Sequence, residues 1–400
     1  MSAVDEYTDF AHTGPGTLAG RFLRQFWQPV FVGADLPIGH AKPIKIMSEE
    51  FTLFRGSDGR AHVIASRCAH RGTQLSVGTV EDDCIRCRYH GWKFDGTGQC
   101  VEAPGNPEQF AARTTIRSYP TEEYLGAIFV FFGEGEPPAF PPFPGFYGDG
   151  VIQARLRVQP CNYFQGWEND WDELHVAWTH RTGGLHTPPD PVEKSLEETE
   201  WGVLKRARKV DGTERITAYF MPHILRLVVP SANVFSYRKI GPAYREGYIM
   251  HTPIDDEHHL QFATQEIRVY GDDIEEYLEV NAEWLKTLDP SGVQERGEKI
   301  LRGEAVMEDY LDYPNLIALE DFVAQVGQGP IADRSAERLS RTDSDIVMMR
   351  KIFSRELQAL AEGRPVKKWA QLTEMPFREV TEAILANPGT GARSASALPR

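Results

Sequence analysis

Residues 68–92 read CAHRGTQLSVGTVEDDCIRCRYHGW, and within them Cys68-Ala-His70 is matched by Cys87-Arg-Tyr-His90. Two thiolates and two imidazoles suit a 2Fe-2S centre in which His replaces Cys on one of the two irons and raises the reduction potential. Spacing separates this reading from structural zinc, where Cys pairs with Cys and His with His; here each Cys is paired with its own His. A zinc knuckle remains the rival, with Cys84-x2-Cys87 as its competing pair. Glycines follow the donors in CAHRG and CRYHGW, letting backbone N–H groups approach the sulfurs, and Trp92 is placed to shield them.

Around these loops the chain reads as β. Short apolar runs at Phe51 to Phe54, Val63 to Ala65 and Ala127 to Phe132 are separated by Gly and Asp turn signals, the pattern of a small all-β domain. Residues 133–150, GEGEPPAFPPFPGFYGDG, lose backbone donors to proline and stiffness to glycine, so regular structure should stop there. The expected division is 1–145, 146–386 and a loose tail, 387–400, too poor in apolar groups to offset ordering entropy.

Beyond the boundary, Trp167 to Thr179 has helical composition and stops before Arg181-Thr-Gly-Gly184. Strands are expected near Ile216 to Phe220, Ile224 to Val229, Tyr248 to His251 and Leu260 to Val269. Helices are expected over Asp273 to Leu288 and Asp343 to Glu362. The second half is therefore α+β.

At 400 residues, two domains follow from scaling alone. The longest apolar run, Tyr124 to Phe132, is too short to cross a bilayer, so no membrane span is expected. The opening MSAVDEYTDF carries acids where an export signal carries basic residues, so cytoplasmic residence is the default. A net charge of -15 argues against nucleic acid as a partner. Five cysteines, an odd number without a repeating framework, fit a reducing compartment.

A second constellation lies in Asn169-Asp-Trp-Asp172-Glu-Leu-His175-Val-Ala-Trp-Thr-His180. Imidazoles are good ligands for iron, copper or zinc. On a regular helix Asp172 and His175 share a face, whereas His175 and His180, five apart, diverge. One ion can take both only if the helix unwinds or distorts near Thr179. A facial triad needs a carboxylate as well, and sequence alone does not choose among the later acids.

CAHRG with CRYHGWKFDGTGQC resembles the signature of the Rieske non-haem iron oxygenases, large (alpha) subunits, and the likeness is closest to the phthalate 4,5-dioxygenase-like group. It extends through TGPGTLAGRFLRQFWQPV near the start and QGPIADRSAERLSRTDSDIV near the end. The resemblance implies an N-terminal all-β Rieske (ISP-type) domain followed by a helix-grip (START/Bet v1-like) catalytic domain. It implies that Cys68 and Cys87 hold one iron of the 2Fe-2S cluster and His70 and His90 the other. Glu168-x3-Asp172-x2-His175-x4-His180 is similar to the family's mononuclear Fe(II) motif, whose third ligand comes from a later helix. The matching pair is Glu320-Asp321, and Asp321 is the expected ligand; the rival for it is a helix N-terminal acid.

The same resemblance implies a homotrimer, or a hexamer of stacked trimers, in which Asp172 links His90 of one chain to His175 of the next. Such a carboxylate can accept a hydrogen bond from the outer nitrogen of a metal-bound His. The absence of a Gly-x-Gly-x-x-Gly loop, with only Cys84, Cys100 and Cys161 to spare, points to a separate reductase as electron donor. The implied reaction oxidises a small aromatic carboxylate with O2, by dihydroxylation. O- or N-demethylation is the alternative, and a non-catalytic electron carrier is a further rival. In an acidic protein a carboxylate substrate calls for an arginine: Arg238 is the candidate, with Arg206 and Arg208 behind it.

Overall fold

The computed structural model describes residues 7–146, 148–181, 193–208, 214–230, 244–287 and 290–374. Gly183-Gly184, Arg238 and the 387–400 tail lie outside them. Its helices are α1 (Leu18–Leu23), α2 (Glu108–Ala112), α3 (Tyr163–Trp171), α4 (Glu173–Trp178), α5 (Asp273–Thr287), α6 (Pro290–Leu301), α7 (Leu316–Val326) and α8 (Ser344–Ala361).

The first half is built of small antiparallel sheets. Ala127–Phe131, buried at every position, is the centre of a three-stranded sheet between Trp27–Val32 and Thr121–Tyr124. A two-residue turn joins Tyr124 to Ala127, with Leu125 at φ 48° and Gly126 at φ 80°, the backbone that a tight hairpin demands. A four-stranded sheet, Ala41–Ile46, Glu49–Arg55, Ala61–Ala65 and Ser118–Tyr119, abuts it. A second one, Thr79–Glu81, Cys84–Arg86, Lys93–Asp95 and Cys100–Glu102, carries the Cys/His loops.

Between Phe131 and Val151 the described residues form no helix or strand. The segment is nonetheless packed: Phe140 meets Trp27 and Phe129, and Phe143 lies 4.4 Å from the ring of Tyr248.

The second half is a seven-stranded antiparallel sheet in the order Val151–Gln159, His259–Ile267, Tyr244–Pro253, Ile224–Pro230, Glu214–Phe220, Gly202–Arg208, Glu193–Glu198. Alternation divides its two faces. Leu204, Ile216, Phe220, Tyr248 and Phe262 pack on Trp27, Phe129 and Phe143 of the first half. Val203, Tyr219, Leu225 and Leu227 face the other way, onto Trp167 and Trp171 of α3 and Phe353 of α8. This second core also takes in the start of the chain, where Phe10 stacks on Phe164 at 4.7 Å and Phe22 meets Phe353 at 5.4 Å.

The expected continuous helix from Trp167 to Thr179 is broken. Asp172 is extended (φ -75°, ψ 117°), ending α3 and capping α4, and Thr179–Arg181 is a separate 3-10 turn with His180 at φ -93°, ψ 17°. The cause is tertiary. The buried Lys205 ammonium donates to the Trp171 carbonyl left open at the end of α3, and the Asp172 carboxylate accepts the Leu174 N–H at 2.8 Å at the start of α4.

Candidate metal centres

The two Cys/His loops are built alike. The Cys68 carbonyl accepts the Gly72 N–H at 2.9 Å, and the Cys87 carbonyl accepts that of Gly91 at 3.1 Å. Gly72 and Gly91 sit at φ 72° and 74°, a backbone that a side chain would strain. The Cys68 N–H then reaches Thr73 O at 2.9 Å, and the Cys87 N–H reaches Trp92 O at 2.8 Å.

This twin geometry places the donors. Cys68 and Cys87 are each 3% exposed and close enough to influence one another, while His70 and His90 are exposed, with ring centroids 4.4 Å apart. Burial pushes the Cys68 thiol up to about 11, against the backbone N–H groups of His70 and Arg71 directed at its sulfur. Trp92 is 7% exposed and stacks on His70 at 4.7 Å and 5°.

Among the described residues, no three His, Cys, Asp or Glu donors in this half come within single-ion reach. A zinc site built on Cys84 and Cys87 is therefore not assembled, whereas inner thiols and outer imidazoles held apart fit a centre of two irons. Cys100 turns its Sγ to the Glu102 carbonyl at 3.3 Å, and Cys161 is fully buried.

In the second half, His175, His180 and Asp321 converge, with one donor atom from each within 4.8 Å of the others. His175 comes from α4, His180 from the 3-10 turn and Asp321 from the middle of α7, so Asp321 is not a helix N-terminal acid. His180 Nε2 is 3.3 Å and His175 Nε2 4.0 Å from Asp321 Oδ1. The outer nitrogens are tied back: Nδ1 of His175 lies 2.7 Å from the Asp172 carbonyl, and Nδ1 of His180 lies 3.0 Å from Glu320 Oε2. Each ring thus turns Nε2 inward, the arrangement by which outer partners orient metal-binding histidines.

Electrostatics at the triad favour a cation. Burial alone would lower the His180 pKa, but hydrogen bonds to Asp321 and Glu320 outweigh it and raise it to about 9. Burial lowers that of His175. Burial also opposes ionisation of Asp321, yet the His180 hydrogen bond and charge hold it below the usual carboxylate range. Two imidazoles and one carboxylate fit a 2-His-1-carboxylate site for ferrous iron.

Asn169, to which the sequence assigned no role, joins this group, its Nδ2 3.3 Å from Asp321 Oδ1 and 3.4 Å from His175 Nε2. Its only sequence signal is a position one turn before Asp172. Within the chain, Asp172 meets His175 through its carbonyl, and its carboxylate serves as the α4 cap. Glu168 is committed to Arg334 at 2.8 Å and Arg350 at 2.5 Å. Arg208 is 63% exposed beside Glu193, and Arg206, opposite Ile216, shares the sheet face that packs on the first half.

The Rieske [2Fe-2S] domain family matches residues 26–120. The chain is 28% identical to the 5,5'-dehydrodivanillate O-demethylase oxygenase subunit of Sphingobium sp. strain NBRC 103272 / SYK-6, over 92% of this chain and 83% of that one. It is also 28% identical to the phenoxybenzoate dioxygenase subunit alpha of Ectopseudomonas oleovorans, over 87% and 84%. Among solved structures, the terminal oxygenase of carbazole 1,9a-dioxygenase from Nocardioides aromaticivorans IC177 shares the fold with a TM-score of 0.64 at 20% identity, covering 88% of this chain and 97% of that one.

Proposed function

Since the chain belongs to the large subunits of the Rieske non-haem iron oxygenases, we propose that it is the terminal oxygenase of a multicomponent system, oxidising an aromatic carboxylate with O2 and electrons from a separate reductase. The observation that carries this reading is the convergence of His175, His180 and Asp321 in a chain that also bears the paired Cys/His loops. An electron carrier has no use for the triad.

Cys68, Cys87, His70 and His90 hold the 2Fe-2S cluster, and His175, His180 and Asp321 hold the mononuclear iron. When bound, the two iron centres supply electron storage and oxygen activation. The protein's own contribution is orientation: Glu320 and the Asp172 carbonyl fix the two imidazoles, and Trp92 covers His70. Asn169 places an amide beside Asp321, able to hold the carboxylate in one rotamer.

The chain acts in the cytoplasm as a homotrimer or a hexamer of stacked trimers. In it the Asp172 carboxylate, which retains an acceptor beyond its cap, takes a hydrogen bond from His90 of the partner subunit. Arg238 remains the substrate-binding candidate from sequence. O-demethylation is the second reading, favoured by the similarity to a demethylase oxygenase subunit.

The experiment is O2 and NADH consumption with product identification, using a surrogate reductase and a panel of benzoates, phthalates and methoxybenzoates. A cis-diol product supports dihydroxylation, and formaldehyde release supports demethylation. Uncoupled turnover with every compound rejects the aromatic-carboxylate assignment.

A further inference from the structure

The strand Val151–Gln159 is the edge of the catalytic sheet, and its alternation puts Gln153, Arg155, Arg157 and Gln159 on one face. Ile152 and Val158 are 38% and 53% exposed, while Gln159 is fully buried and Arg157 partly so. The strand's apolar side still sends Ala154 and Leu156 onto the core shared with the first half, and its polar side stands on the opposite face of the sheet.

Register identifies what that side looks at. Arg157 pairs with Gln261, and Gln261 pairs with His251, so the three stand in one row on one face. The His251 ring crosses to α3, its Nε2 2.9 Å from Asp170 Oδ2, and the preceding residue, Asn169, touches Asp321. Arg157 therefore belongs to the face beneath the triad. Burial disfavours its cation, and the charges of Asp321 and Tyr313 act on it in the opposite sense.

Among the described residues Arg157 has no hydrogen bond and no ion pair. Other arginines drawn into this protein are matched: Arg55 by Glu123, Arg86 by Glu81 and Glu102, Arg226 by Glu246, and Arg334 and Arg350 by Glu168. A partly buried guanidinium without an ion pair is at a disadvantage, so such charges are normally paired. Asp321 does not serve, because a divalent ion bound by one carboxylate and two neutral imidazoles is still positive. Within the row Arg157 is the one cation, because Gln261 is neutral and burial pushes the His251 pKa down to about 3.

We propose that Arg157 is the anchor for a carboxylate on the substrate, gripping it through both guanidinium edges while the rest of the molecule extends towards the triad. The assignment rests on the oxygenase reading above and deepens it: the preferred substrate is anionic, and Arg157 sets that preference. The planar fork suits a carboxylate better than a lysine would.

The test is isothermal titration of the anaerobic, iron-reconstituted protein with 4-methoxybenzoate and its neutral isostere 4-methoxybenzamide, on the wild type, Arg157→Met and Arg238→Met, with the thermal midpoint of each. The wild type is expected to prefer the carboxylate. Arg157→Met is expected to weaken carboxylate binding roughly 30-fold or more, as loss of a charge-assisted bidentate pair does, and to leave the amide unchanged. Its ligand-free midpoint is expected to equal or exceed the wild type's, since removing an unpaired cation relieves desolvation. Carboxylate binding within twofold of the wild type, loss confined to Arg238→Met, equal wild-type affinity for both probes, or a marked fall in the midpoint would each overturn the proposal. Because titration needs no turnover, carboxylate-selective binding through Arg157 without oxidation of any compound would sink the oxygenase reading and leave the anchor standing.

Discussion

Nε2 of His180 lies 3.3 Å from Oδ1 of Asp321, while its Nδ1 lies 3.0 Å from the preceding acid, Glu320. Adjacent residues of one helix thus hold both edges of one imidazole. One acid faces the point where the His175, His180 and Asp321 donors converge, and the other sets the ring.

Asp321→Ala removes the only carboxylate of the triad. Iron content is expected to fall from about three to about two per chain, with the 2Fe-2S spectrum retained. Glu320→Gln keeps the triad but loosens the ring, and iron affinity is expected to drop by roughly 10- to 100-fold. Metal analysis and electron paramagnetic resonance on the same samples decide; full iron in Asp321→Ala refutes the ligand assignment.

His90→Ala acts on the other centre. The Rieske absorption and resonance signature is expected to vanish, while the mononuclear iron still binds through the untouched triad. A surviving 2Fe-2S signal would move His90 out of the ligand set.

Asp172→Asn separates the local role from the one proposed across subunits. Asparagine caps a helix about as well as aspartate, so α4 and iron loading should persist. Oxidation of the reduced cluster in a single turnover is expected to slow roughly tenfold or more, since a charge-assisted link is lost. Stopped-flow traces superimposable on the wild type's count against the bridge.

Lys205→Met strips the ammonium from a buried group in which Lys205 sits 3.5 Å from both Glu173 and Asp345 and donates to the Trp171 carbonyl. Removing one partner of a buried pair costs about 3–5 kcal/mol. Urea denaturation should show a loss of that order; a loss below about 1 kcal/mol, the range of an exposed pair, would mean that the break at Asp172 is pinned elsewhere.

His223 is 1% exposed, neither ring nitrogen has a partner among the described residues, and burial, aided by His251, pushes its pKa down to about 3. The unfolded chain takes up this proton near pH 6.5 and the folded chain only near 3, so the contribution to stability is complete above 6.5 and lost as pH falls through that window. At about pH 5.5 one such histidine costs roughly 1.4 kcal/mol. Denaturation curves at neutral pH and at about pH 5.5 should therefore diverge less for His223→Leu than for the wild type. An identical acid loss in both proteins removes His223 from the account.

The paired Cys/His loops and the two closely spaced histidines stand out in the sequence because their chemistry is scarce, whereas Asp321 comes only from the family resemblance, since many later acids could serve. The site's supporting geometry is not legible there. In WDELHVAWTH Asp172 is a good N-cap residue, but it reads as an ordinary helix position until Lys205, a strand residue far along the chain, takes the Trp171 carbonyl. Asn169 reads as a routine polar position until Asp321 is brought beside it. Arg157 left a trace, since VIQARLRVQ alternates cleanly, but alternation does not say which side is in. The ordinary assumption, apolar inward, finds Ala154 and Leu156 but not that the opposite, polar face is covered too, with Gln159 fully buried.

The chain's opening residues have an evolutionary consequence. Phe10 and Phe22 come before the cluster loops, yet their rings are wedged against Phe164 and Phe353. A crossover in the proline-rich link would give a hybrid whose core mixes two lineages at those contacts. A graft of the cluster-bearing sheets from a relative therefore keeps these contacts only where the first two dozen residues stay with the recipient.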